Sequence, residues 1–167
     1  SKNYDMKKCL IYEDSTGYCR IVTATNSFKI EQESQENAIA RFHETAIPEV
    51  CEFIAVSETR IPDDKSFRDA WKKGDKHDPI KVDFDKALQI HRQRLQEACE
   101  KKIAKLNIEL ELAVENQNLP EQVAIQRTKK ILRTLHETNL SHCKTVDDIK
   151  KSVPKELYDV WTYYSMD

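Results

Sequence analysis

The run from position 84 to position 116 holds neither Gly nor Pro, and most of it is Leu, Ala, Glu, Gln, Lys and Arg, the strongest helix formers. Leu88, His91, Leu95, Cys99, Ile103, Leu106, Leu110 and Ala113 follow one another at steps of three or four. That spacing places them on one face of a single helix. At 1.5 Å per residue such a helix is roughly 50 Å long, longer than a small domain is wide. Some of its apolar stripe must therefore lie against a second long element, another subunit or a partner. This constraint organises the rest of the chain.

Residues 117–118 break the run, and Pro120 suits the first turn of a new helix reaching about position 136. Its apolar residues include Val123, Ala124, Ile131, Leu132 and Leu135. Two amphipathic helices with a short break predict an antiparallel hairpin. The second arm is much shorter, so it covers only the C-terminal half of the first, and residues 88–99 are expected to pack on what precedes them. Thr145 with Asp148 reads as a capping box opening a short helix over 146–153. The chain then ends in an aromatic stretch with Trp161, Tyr163 and Tyr164.

The N-terminal half reads differently. Residues 1–5 look like a tail ahead of Met6, the expected native start. Residues 7–13 and 18–25 are β-rich runs around Asp14-Ser15-Thr16-Gly17, a turn sequence that predicts a hairpin. A polar connection over 26–35 leads to a helix over 36–46, stopped by Pro48, and a third strand over 51–56. Asp64 is expected to cap a helix over 65–73 whose Phe67 and Trp71 share one face. Residues 80–82 read as an edge strand, and Asp83 as the cap of the long helix. The fold class is therefore α+β: a small N-terminal β-β-α-β layer over 1–82, then a long antiparallel helical hairpin and a short C-terminal helix over 83–167.

Two Gly in 167 residues leave no room for a Gly-rich phosphate loop or dinucleotide fingerprint. A net charge of -2 argues against nucleic acid, which asks for a basic face. With no membrane-length apolar run and no signal-peptide core, the chain is read as cytoplasmic, in a bacterial host cell. Cys9, Cys19, Cys51, Cys99 and Cys143 are dispersed and form no C-x-x-C, so free thiols are expected, with a Cys9–Cys19 bridge across the hairpin as the alternative.

Six groups of residues invite a chemical reading. Arg68 and Asp69, between Phe67 and Trp71, read as a recognition pair or, preferably, as ties from a core helix to neighbouring backbone. Asp75, His77, Asp78, Asp83 and Asp85 are oxygen and nitrogen donors in one region, without EF-hand or zinc spacing, so no metal is assigned. His91 lies on the apolar stripe with no carboxylate or nucleophile at a helical spacing, which favours a half-buried structural histidine over a general base. Arg92 and Arg94 beside it are solvent-facing or meet acidic residues. His142-Cys143 is a nucleophile–base pair on paper, with nothing to complete it. Arg127, Lys129, Lys130 and Arg133 spread over two turns, as a solvated arm does, more than as a phosphate-binding face. Trp161, Tyr163 and Tyr164 suit a core and an interface equally. No catalytic residue, cofactor or metal is expected. The partner-binding candidates are Arg68, Asp69, Arg92, Arg94, Trp161, Tyr163 and Tyr164.

The string Phe67-Arg68-Asp69-Ala70-Trp71, preceded by Pro62-Asp63 and followed by Val82-Asp83, Lys86-Ala87 and Ile90-His91-Arg92, resembles small proteins encoded near the tail genes of tailed bacteriophages and prophages. With Leu132-Arg133, the helix Val146-Asp147-Asp148-Ile149 and Trp161, roughly residues 55–161 are similar to the helical part of tail-fibre assembly and tail assembly chaperone proteins. The resemblance implies a non-enzymatic protein that binds another protein, such as a tail or fibre component, and carries over no catalytic residue. An inhibitor of a host defence or host enzyme is the alternative, and a nucleic-acid-binding protein the third. Homo-oligomerisation through the long helix is compatible with either of the first two.

Overall fold

A computed structural model describes residues 8–23 and 51–165. The expected connection over 26–35 and helix over 36–46 lie outside the described residues. The protein is α+β and divides into two compact units, Ser1–Asp83 and Phe84–Asp167.

In the first unit, β1 (Lys8–Glu13), β2 (Cys19–Thr23) and β3 (Phe53–Ser57) form an antiparallel sheet in the order β2-β1-β3. The hairpin closes where expected. The Asp14 carboxylate accepts from the Thr16 and Tyr18 amides at 2.9 and 3.1 Å and pairs with Arg20 at 2.9 Å. These bonds hold the carboxyl well below the usual carboxylate range. Gly17 takes φ 82°, a left-handed conformation that favours glycine.

β1 is buried on both faces, as a middle strand is. Cys9 and Ile11 join Cys19, Val56 and Trp71 on one side. Leu10 packs with Val22, Phe53 and Ala55 on the other. The register sets Cys9 opposite Thr23 and Cys19 opposite Glu13, so no Cys9–Cys19 bridge spans the hairpin, and all five thiols are free.

The helix expected over 65–73 does not form. Asp64 caps a turn by accepting from the Ser66 amide at 2.9 Å. A single 3-10 turn follows at Arg68–Ala70, and the chain then becomes β4 (Trp71–Lys73), paired with β5 (Ile80–Val82). A nine-residue helix is marginal on its own. The strand pairing offers Trp71 a buried site at 4% exposure together with ladder hydrogen bonds, and that tertiary gain overrides the i, i+4 pattern. Gly74 sits in the connection, where a Cβ would approach the Asp78 carbonyl oxygen to 1.9 Å.

The second unit is built on α1 (Phe84–Glu115) and α2 (Leu119–Leu132), the expected antiparallel pair. The turn between them closes by an Asn118 amide bond to the Ala113 carbonyl, with Gln117 at φ 56°. Asn118 then caps α2 by accepting from the Glu121 amide. α2 ends four residues earlier than expected, and a 3-10 turn, Leu135–Glu137, takes its place.

α3 (Val146–Lys150) opens on the full capping box, with the Thr145 hydroxyl on the Asp148 amide at 3.1 Å and the Asp148 carboxylate on the Thr145 amide at 3.1 Å. Replacing Thr145 with Ala should lower the stability of this unit by about 1 kcal/mol, read by chemical denaturation.

Leu95, Ala98, Cys99, Leu106 and Ala113 of α1 share one core with Ile125 and Leu132 of α2 and with Val153, Leu157 and Trp161. The N-terminal half of the long helix was expected to rest on the α+β layer. Within the second unit, Leu95, Ala98 and Cys99 of that half pack with Val153, Leu157 and Trp161 of the C-terminal segment. Lys102 and Lys105 both reach the Asp159 carboxylate at 2.7 Å, which fastens that segment down and holds the Asp159 carboxyl at about 2. No helix among the described residues is long and apolar enough to cross a membrane.

Candidate functional site: the hairpin arm and the buried histidine behind it

The C-terminal aromatics fold back. Trp161 is 8% exposed, and its ring lies 5.0 Å from Tyr163 and 5.2 Å from Tyr164, both edge-on. His91, expected to be half-buried, is fully buried against the Trp161 and Tyr164 rings. Its Nε2 faces the Ser152 carbonyl at 3.1 Å and its Nδ1 faces the Tyr164 hydroxyl. One neutral tautomer satisfies both: Nε2–H donates to the carbonyl and Nδ1 accepts from the hydroxyl. Burial, with Arg94 and Arg92 adding to it against the Ser152 bond, depresses the imidazole to about 4. Burial raises the Tyr164 phenol, and burial with a hydrogen bond to Glu97 pushes Tyr163 up to about 12. Every group is thereby held neutral. His91 is a satisfied core histidine, and nothing aims it at a substrate.

Arg94 lies over the Tyr163 and Tyr164 rings at 5.4 and 5.7 Å. Arg92 donates to the His136 and Thr138 carbonyls at 3.1 and 3.0 Å, tying the end of the 3-10 turn to α1. The residues expected to meet a partner here are thus engaged within their own unit. In the first unit, Arg68 donates to the Cys19 carbonyl at 2.6 Å and lies 4.8 Å above both the Tyr18 and Trp71 rings. Asp69 accepts from the Tyr18 hydroxyl at 3.4 Å.

In the loop over 75–78, the Asp75 carboxylate accepts from the His77 and Asp78 amides at 2.8 and 2.9 Å, and Arg60 donates to the His77 carbonyl at 2.6 Å. That acid organises its own turn. Among the described residues no group of three or more His, Cys, Asp and Glu is arranged to hold a metal ion.

His142 and Cys143 do come together, although neighbours in a chain usually diverge. Imidazole Nε2 and Sγ are 3.7 Å apart, and both contact the Ser152 hydroxyl, at 3.0 and 3.2 Å. The Ser152 hydroxyl gives its proton to the Asp148 carbonyl at 2.8 Å. Ser152 thus bridges the two side chains and is itself tied to the α3 backbone.

What remains open is the distal half of the hairpin. Of the apolar residues named for α2, Leu132 turns inward and is joined by Ile125, while Val123 and Ile131 do not. Val123 and Ile131 are turned out, 49% and 52% exposed, alongside Leu119 at 67% and Val114 at 55%. Between the helices, Leu110, Val114, Leu119 and Val123 line an open groove of about 510 Å³, with Arg127 and Lys130 at its basic end. Ile108 and Leu112 project from α1 at 63% and 54% exposure. Counting 100° per residue from Leu106 would have flagged them in the sequence as apolar residues off the stripe. The chain matches no family model, no curated protein and no solved structure, so its function is argued from this arm and not from kinship.

Proposed function

We propose that the chain is a non-enzymatic accessory protein that binds another protein, and that the distal half of the hairpin is its binding element. The observation that supports this reading is that the end of α1 carries exposed apolar residues beyond its core-facing stripe. Leu106 and Ala113 are buried in the unit's core, Val114 flanks the groove, and Ile108 and Leu112 project elsewhere into solvent. A cluster of exposed apolar side chains on an otherwise charged surface marks a protein contact site. The resemblance to tailed-phage proteins supplies the partner class to try first, a tail or tail-fibre component.

Co-expression with tail and tail-fibre proteins of tailed bacteriophages should give a complex that survives co-purification. Ile108→Lys combined with Leu112→Lys should weaken that complex about a hundredfold, near 3 kcal/mol, without changing helix content. A wild-type chain that captures no tail or fibre protein but blocks a host nuclease overturns the tail reading in favour of an inhibitor. Capture that is indifferent to the two lysines overturns the assignment of the arm.

A further inference from the structure

We infer that the groove between α1 and α2 is a self-association face whose occupant is the same face of a second copy, stacked so that each α1 lies over the other copy's α2. This rests on the reading of the arm as a protein-binding element and assigns one of its two flanks.

The helical repeat carries the inference. Residues seven apart fall on nearly the same side of a helix. Going from Val114 away from the turn, that side of α1 shows Asn107 and then Glu100. From Leu119, the matching side of α2 shows Gln126 and then Arg133. Each step is equally long, so Glu100 and Arg133 both stand about 21 Å from the apolar tip pair. The face is therefore apolar at the tip, amide in the middle, and charged at the far end, acidic on α1 and basic on α2. Glu100, Lys130 and Arg133 are exposed, and among the described residues none of them enters an ion pair.

Two like faces can meet about a twofold axis in two ways. An axis across the helices sets α1 on α1 end for end, which opposes the charged Glu100 and Arg133 to the apolar tip, Val114 and Leu119, of the second copy. An axis along the helices sets α1 on α2, level by level. Val114 then meets Leu119 of the second copy, Asn107 meets Gln126, and Glu100 meets Arg133. Only the second arrangement is charge-complementary, and it makes an antiparallel four-helix bundle with self-complementary contacts. Its size sets its strength. A face about 20 Å long and two helices wide buries on the order of 1,000 Å² in total, the low edge of specific interfaces. The expected dimer is reversible, dissociating in the micromolar range.

Sedimentation analysis of the full chain over roughly 1–300 µM should show the mass rising from 19.5 kDa towards twice that value. Val123→Lys should stay monomeric throughout. Arg133→Glu should raise the dissociation constant about tenfold, more at low salt. Adding Glu100→Arg to it should restore the dimer to within about threefold of wild type, a rescue that a fold defect would not permit. All three positions are exposed, and circular dichroism checks that each variant keeps its helices. A wild-type chain that stays monomeric, or a dimer unmoved by Val123→Lys and by the charge exchange, overturns the inference. A monomer that still captures a tail protein through Ile108 and Leu112 overturns self-association alone. A dimer that captures none leaves it standing and removes the partner reading.

Discussion

Trp161→Ala should lower the stability of the C-terminal unit by about 3–5 kcal/mol, the cost of removing a buried indole from a core that cannot collapse around the gap. Trp161 is 8% exposed, touches the rings of His91, Tyr163 and Tyr164, and belongs to the same core as Leu95 and Leu157. The loss should be confined to that unit. Trp71, in the first unit, becomes the only tryptophan in the variant and reports its own unit by fluorescence, while helix ellipticity reports the second. The expected result is an early ellipticity transition with the Trp71 transition unmoved. A change below about 1 kcal/mol would mean that the aromatic end is held loosely and is free to meet a partner, restoring the interface reading of Trp161, Tyr163 and Tyr164.

That the aromatics form a core was only half legible in the sequence. The long helix was plain, because a run of strong helix formers without Gly or Pro decides its own conformation locally. The Asp14–Gly17 turn and the Thr145–Asp148 capping box were plain for the same reason: each is completed within four residues. What failed depended on residues far apart in the chain. Trp71 becomes a strand residue because residues 80–82 pair with it, and nothing within 65–73 announces that pairing. That Leu95, Ala98 and Cys99 of α1 meet Val153, Leu157 and Trp161 is likewise a pairing that an amphipathic stripe cannot specify for itself. On α2 Leu132 enters the core as part of the apolar set, joined seven residues earlier by Ile125, while Val123 and Ile131 stay exposed.

The arm proposed above does not stand out by residue type. Arginines and aromatics were taken as the binding residues because such residues dominate interfaces. Arg68 and Arg92 instead bind carbonyl oxygens within their own units, and Arg94 stacks on two tyrosines. The surface left over is aliphatic. It sits on residues such as Ile108 and Leu112 that break the stripe, which makes departure from amphipathicity a better guide to this arm than residue type.

Acid should unfold the C-terminal unit through His91 before its carboxylates are protonated. The folded imidazole titrates at about 4, against 6.5 for an unperturbed histidine. As pH falls below 6.5 the unfolded chain takes up a proton that the folded chain refuses, so unfolding gains free energy. The stabilisation is fully present above pH 6.5 and is lost progressively as pH falls towards 4. At about 1.4 kcal/mol per unit, the loss approaches 3 kcal/mol. Arg94 and Arg92 act in the same direction by opposing a positive charge, and the Ser152 carbonyl opposes them by favouring it. Asp159, held at about 2 by Lys102 and Lys105, gives way only at lower pH, because its stabilisation starts to fall below the unfolded carboxyl value of 3.8. The window between 6.5 and 4 therefore belongs to the histidine. Denaturation midpoints measured across it should fall steeply in the wild type. His91→Gln keeps an amide donor for the Ser152 carbonyl and an acceptor for the Tyr164 hydroxyl but cannot titrate, so its midpoints should be lower at pH 7 and nearly level down to pH 4. A slope that persists in His91→Gln would place the acid-sensitive group elsewhere in the fold.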